Sequence, residues 1–186
     1  MPRTPIQFQQ MKDERKLSIL ESALFLFASH GRNSVTIDMV CQKAKCSHGL
    51  VYHYFKNVDQ IYFELLKSKT FENVNSRIDI VDLNKDSYPQ IRNIVNNLVN
   101  ITRETKTEIA FALIILESTD KKSFYSKLTN VIEKGQNEKT ITGGNPMDIA
   151  STFIYFIKGL YLTYLNQKHP ANKVPSIDNI MQIFER

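Results

Sequence analysis

The chain has no tryptophan, two cysteines, and six each of proline and glycine in 186 residues. Cys41 and Cys46 lie too close together, and are too few, to frame a disulfide scaffold; such usage suits a reducing cytoplasm. No segment reaches the roughly 18 uncharged apolar residues that a membrane span needs. The nearest, from Ile149 to Leu165, is interrupted by Lys158 and reads as a buried helix. The N-terminal MPRTPIQFQQMKDERK lacks the apolar core of a secretory signal, so a cytoplasmic location is expected. Strand-type alternation is missing as well. The scarce glycines and prolines fall mostly between periodic segments, which favours an all-α chain. There is no Gly-x-Ser-x-Gly, no glycine loop of phosphate-cradling type and no close His–Glu metal pair, so neither an enzyme nor a cofactor or metal is expected.

What remains is an ordinary globular composition, 42% hydrophobic and 23% charged, with a net charge of +5. The charge is unevenly spread. Residues 1–70 carry ten basic and six acidic side chains, which leaves four-fifths of the positive excess in the first part of the chain. A polyanionic partner for that part is compatible with this balance.

Along the chain, residues 1–12 read as a flexible tail, or alternatively as a DNA-contacting arm carrying Arg3. From Asp13 to His30, Leu17, Leu20, Leu24 and Phe27 recur at helical spacing, and Gly31 suits the end of that helix. Thr36 is an N-cap residue for a short helix from Ile37 to Ala44, and Ser47 for another reaching about Phe55. Two helices this short have no independent stability and must pack on the first, which is the geometry of a helix-turn-helix. A longer helix is expected from about Val58 to Arg77. Further helices follow at 89–105, 108–118, 123–135, 147–166 and 176–184.

The stretch from Thr36 to Leu66 resembles the DNA-binding signature of the TetR family of bacterial transcriptional regulators. Ser47, Gly49, Tyr52, Tyr54 and Phe55 match the family's recognition helix. Ile19, Leu20, Ala23, Leu24, Phe27 and Gly31 match its first helix, and about 55 residues are covered. A weaker echo runs through Ile132, Gly135, Gln136, Asp148, Ala150 and Gly159. Two positions depart from the pattern. Lys45 stands where the family usually has a turn glycine, so either a lysine takes the left-handed conformation or the turn differs. Val58 stands where a lysine is usual, leaving Lys56 and a helix N-terminus to meet phosphate.

The resemblance implies an all-α protein: a helix-turn-helix head at residues 13–72 and a helical ligand-binding and dimerisation body at residues 73–186. It implies a homodimeric regulator, a repressor that a small-molecule effector releases from a double-stranded DNA operator. The alternatives are a small helical carrier or enzyme whose head does not bind DNA and, within regulation, an activator or a protein whose heads bind a partner instead of DNA. By position in the family, Thr36, Lys45, Ser47, His48, Gly49, Leu50, Tyr52, His53 and Lys56 are the DNA-binding candidates. His48, Gly49 and Leu50 would lie nearest the bases. The recognition helix itself has no Arg or Lys, so the common pairing of such residues with guanine is not available from it. Asp38 either accepts from cytosine or simply complements a helix N-terminus. Gly49 reflects either close approach to DNA or packing between helices. Cys41 and Cys46 read either as buried packing residues or as a redox switch or a metal site made with His48, though their spacing fits no zinc motif.

In the body, Phe63, Phe71, Ile94, Leu98, Ile101, Phe111, Ile115 and Tyr125 are candidates to line a ligand cavity. The long apolar helix from 147 to 166 carries two stripes, one inward and one free for a partner. From it and the last helix, Phe153, Ile157, Leu160, Tyr161, Tyr164, Ile177, Ile180, Met181 and Phe184 are the candidates for a two-fold interface.

Overall fold

Side-chain caps set most of the helix starts. The computed structural model describes residues 5–118, 122–166 and 174–185, and every regular element among them is helical. The chain divides into two compact units, Met1–Phe71 and Glu72–Arg186.

In the first unit, α1 (Pro5–His30) is the frame on which a short 3-10 turn (Arg32–Ser34), α2 (Ile37–Ala44), α3 (His48–Tyr54) and α4 (Val58–Leu65) are assembled. The expected tail is corrected from residue 5 onward: Pro5 opens a helix, a position where its missing N–H costs nothing. Residues 1–4 and Arg3 lie outside the described part. Ile19, Ala23, Leu24, Phe27, Val40, Val51, Phe55 and Ile61 are buried together as the core. Leu17, assigned to the apolar stripe by spacing, is 63% exposed, because Ile19 takes the inward position instead. Gly31 ends α1 with φ 76°, a conformation that favours glycine, and its N–H reaches the Phe27 carbonyl at 2.9 Å. Lys16 bonds Glu64 at 2.6 Å, tying α1 to α4 and holding the Glu64 carboxyl below its ordinary range.

The single helix expected from Val58 to Arg77 is two. It breaks after Leu65 and restarts as α5 (Lys69–Ile78), because the Ser68 hydroxyl accepts from the Phe71 N–H at 3.1 Å and acts as a fresh N-cap.

The second unit contains α6 (Ser87–Ile101), α7 (Lys106–Glu117), α8 (Phe124–Asn137), α9 (Pro146–Asn166) and α10 (Ile177–Met181). Thr105 and Glu108 form a reciprocal capping box at the start of α7. Ile109, Ala110, Phe111, Ala112, Leu113, Ile114 and Leu116 are all buried, so α7 is apolar around its whole circumference and sits inside the bundle. α9 packs on α7 and α8, and α10 on α6. The Tyr161 hydroxyl donates to the Leu98 carbonyl at 2.8 Å within this core, and burial pushes that phenol well above its usual pKa.

Phe153, Ile157, Tyr161, Ile180, Met181 and Phe184, expected at a subunit interface, are instead buried inside one chain. Phe153 and Phe184 meet edge to face with ring centres 5.2 Å apart. Both stripes of α9 are apolar, so spacing does not reveal which one turns inward. Leu160, Tyr164 and Ile177 are only half-buried.

Gly135 of α8 owes its identity to packing. A Cβ there would stand 2.9 Å from the Ser87 Cβ and closer still to the buried Ile141 side chain. Alanine would gain about 1 kcal/mol of helix propensity, against about 1–3 kcal/mol of overpacking. Gly135→Ala is therefore expected to lower stability by up to about 2 kcal/mol in urea denaturation, and Gly135→Val by more.

Candidate nucleic-acid interface

The two short helices are fixed by their own polar side chains. The Thr36 hydroxyl accepts from the Met39 N–H at 3.3 Å to start α2, and the Ser47 hydroxyl accepts from the Leu50 N–H at 3.3 Å to start α3. Between them, Lys45 adopts the left-handed conformation (φ 50°, ψ 50°). Its N–H bonds the Gln42 carbonyl at 3.3 Å, and the Cys46 N–H bonds the Cys41 carbonyl at 3.0 Å. This is a Schellman closure with a lysine where glycine is usual. The turn keeps its shape and the side chain bears the strain. Lys45→Gly is accordingly expected to raise head stability by up to about 1 kcal/mol, measured by thermal denaturation.

α3 turns Val51 inward, and the following Phe55 is also buried. The opposite side presents Ser47, His48, Gly49, Tyr52 and His53, all exposed, with Leu50 half-buried at the edge. Positions 48, 49, 52 and 53 share one helical face because they fall one turn apart. Tyr52 is 56% exposed although it is a large aromatic residue. The rings of His53 and Tyr54 meet edge to face at 4.9 Å, and the Tyr54 hydroxyl donates to the Lys12 carbonyl at 3.2 Å, anchoring α3 on α1. Lys56 is exposed and, among the described residues, forms no ion pair. Its backbone N–H donates to the Gln60 side chain at 2.6 Å while Asn57 caps α4 by accepting from the Gln60 N–H at 2.8 Å.

Of the nine DNA-binding candidates, seven lie on the turn and α3, while Thr36 opens α2 and Lys56 follows the end of α3. The structure also supplies neighbours that spacing did not reveal. The Asp38 carboxylate accepts from His48 Nε2 at 2.5 Å, so Asp38 serves the first turn of α2 and steadies the histidine ring at the same time. Arg32, Asn33 and Asn57 line one depression with Tyr52 and Lys56. The Arg32 guanidinium bonds Asp59 at 2.8 Å and lies over the rings of Tyr62 and Phe63 at 4.6 and 5.0 Å.

That stacking corrects the reading of Phe63 as a cavity residue: its ring is 50% exposed on the first unit, with Arg32 against it. Phe71 is half-buried where the first unit ends. Of the other ligand candidates, Ile94, Leu98, Ile101 and Phe111 are buried in the second unit and Ile115 half-buried. Tyr125 is also half-buried and donates to the Met147 carbonyl at 3.5 Å. Among the described residues no three His, Cys, Asp or Glu side chains are placed to hold a metal ion, and no helix is long and apolar enough to cross a membrane.

Residues 19–65 match the family model described as bacterial regulatory proteins, tetR family. The transcriptional regulator HbdR of Aromatoleum sp. (strain CIB) is 37% identical over 59 residues, a match covering 32% of this chain and 26% of that protein. The uncharacterised regulator YhgD of Bacillus subtilis (strain 168) is 24% identical over 190 residues, covering 94% and 96%. The structure of apo AibR superimposes with a TM-score of 0.63 at 15% identity, covering 91% of this chain and 98% of AibR, and so shares its fold. A second AibR structure, in complex with isovaleryl coenzyme A and operator DNA, gives 0.57 at 16% identity, covering 90% and 94%.

Proposed function

We propose, from the match of residues 19–65 to the tetR family model and from the likeness to HbdR and YhgD, that this chain is a TetR-family regulator, a sequence-specific DNA-binding repressor which a small molecule releases from its operator. The carrying observation is α3: capped by Ser47, anchored by Val51 and Phe55, and presenting His48, Gly49, Tyr52 and His53 on one exposed face. A helix presented this way enters the major groove N-terminus first, with base-edge contacts near its start and phosphate contacts at its flanks. His48 and Leu50 are read as the base-contacting side chains. Thr36, Lys45, Ser47, Tyr52, His53 and Lys56 are read as phosphate or thymine-methyl contacts. With no Arg or Lys on the helix, specificity rests on these contacts and on DNA shape.

Two heads on a symmetric dimer would meet half-sites roughly 34–36 Å apart. The dimer is read as forming along the outward side of α9, where Tyr155 is 69% exposed and nothing lies within 4 Å of a Cβ built on Gly159. An exposed mid-helix glycine costs about 1 kcal/mol in a lone helix, and close approach of a second helix gives it a purpose. The body is read as the effector-binding part, its candidate lining reduced to the side chains around Ile94, Leu98, Ile101 and Phe111. On the precedent of the AibR complex, acyl-coenzyme A thioesters are the first class to screen. By linkage, whatever effector acts must bind the DNA-free form more tightly, and about 1.4 kcal/mol of difference suffices for tenfold release. The activity proposed is binding, with no catalytic step.

The test is selection of duplexes from a random-sequence pool, followed by anisotropy at several salt concentrations. If each head neutralises about four phosphates, log affinity falls against log salt with a slope near −7. Lys56→Ala is expected to weaken binding to all duplexes alike and to make that slope shallower by about 2, one contact in each head. Absence of any enriched duplex would overturn the reading.

A further inference from the structure

In a Schellman closure the side chain three positions ahead of the helix cap meets the one just past the left-handed residue, and an apolar contact usually fills the place. Here those two positions are Cys41 and Cys46, on either side of Lys45. The turn that presents α3 is therefore closed by two facing thiols. Cys41 is 4% exposed on α2, whereas Cys46 is half-exposed, and both border one open depression beside Lys45 and His48. Burial first, then the neighbouring Cys46 and Asp38, push the Cys41 thiol up, so it stays protonated while Cys46 faces solvent.

We propose that Cys41 and Cys46 are a peroxide-oxidisable pair whose disulfide displaces the start of the recognition helix and weakens DNA binding. The Cys46 thiolate attacks one oxygen of hydrogen peroxide. The O–O bond breaks, and the departing hydroxide takes up the proton that Cys46 gave up, leaving as water. The resulting Cys46 sulfenic acid is attacked by Cys41: the S–S bond forms, the S–O bond breaks, and a second water leaves with the Cys41 proton. In sum, two thiols and one peroxide give one disulfide and two waters. The sulfurs must close from contact, roughly 4 Å, to a bond of about 2 Å. That draws Cys46 toward α2. The next residue is Ser47, whose hydroxyl caps the Leu50 N–H, and then come His48 and Gly49.

The pairing stands on the turn geometry alone; its effect on DNA rests on the function proposed above. Full-length reduced protein is treated with stoichiometric hydrogen peroxide, its remaining thiols are blocked, and it is digested with trypsin. Cleavage after Lys43 and Lys45 puts the cysteines on separate peptides, residues 33–43 and 46–56, which only a disulfide can hold together. The joined peptide is expected in the wild type, and is expected to disappear with dithiothreitol and in Cys46→Ser. Cys41→Ala accompanies it, since a buried serine can disturb the fold. On a duplex selected by the reduced protein, oxidation is expected to weaken binding at least tenfold, with recovery on reduction and no peroxide response in Cys46→Ser. Absence of the joined peptide overturns the pair. A joined peptide with unchanged affinity, or equal loss of binding in Cys46→Ser, overturns the switch. A reduced protein that selects no duplex sinks the DNA-binding reading, and the switch with it, while the peptide map still decides the thiol chemistry.

Discussion

Replacing Gly49 by alanine is expected to move fold stability and DNA affinity in opposite directions. Alanine is more favourable than glycine by about 1 kcal/mol in a helix interior, and by less in the first turn of α3, where Gly49 stands. Nothing in the fold opposes the change: a Cβ at Gly49 would find only the Ser47 hydroxyl oxygen, at 3.9 Å, an ordinary contact. Packing between helices therefore does not account for this glycine, and the proposed DNA contact of α3 makes close approach of its backbone to the duplex the reading to test. Gly49→Ala should unfold at higher urea concentration than the wild type, with a gain of up to about 1 kcal/mol. It should also bind a selected duplex at least tenfold more weakly, since about 1.4 kcal/mol of lost contact is enough for that factor. Unaltered or tighter binding would show that α3 does not bring its backbone against a ligand at this point.

The second large effect concerns the core of the body. Phe153→Ala is expected to cost about 3–5 kcal/mol, the usual range for emptying a buried aromatic site. Phe153 is fully buried, edge to face against Phe184. For a protein of marginal stability this is a large fraction of the total. Tyr155→Ala, on the exposed side of the same helix, should leave chain stability nearly unchanged and act on self-association instead. Denaturation of both variants, together with light scattering, separates the two sides of α9. A Phe153→Ala protein of normal stability that had lost its dimer would reverse the assignment.

The elements with strong local chemistry were readable in advance. Thr36, Ser47, Ser123 and Ser176 each bond the backbone N–H three residues on, and such caps depend only on short-range sequence. Gly31 was readable for a similar reason. The start of α1 was not, because residues 5–12 hold no cap residue followed by an apolar repeat. Nor was the break after Leu65, where apolar spacing runs on and Ser68 alone marks the restart. The sorting of α9 failed at Phe153, Ile157 and Tyr161 because a helix apolar on two sides leaves the inward choice to tertiary packing. At the candidate interface, the one-sided exposure of α3 followed from Val51 and Phe55. The Asp38–His48 pair joins residues ten positions apart across a turn, and the Arg32 stack on Phe63 spans thirty-one. No periodicity announces contacts of that kind.

The enclosure of α7 sets an internal clock for the second unit. Its backbone amides from Ile109 to Ile114 belong to an unbroken run of buried residues, so they are expected to trade hydrogen with solvent only when the whole bundle opens. The exchange rate of those few amides reads the opening equilibrium of the bundle directly. Any compound that lodges among the helices must slow it, which gives a way to recognise an effector before its chemistry is known.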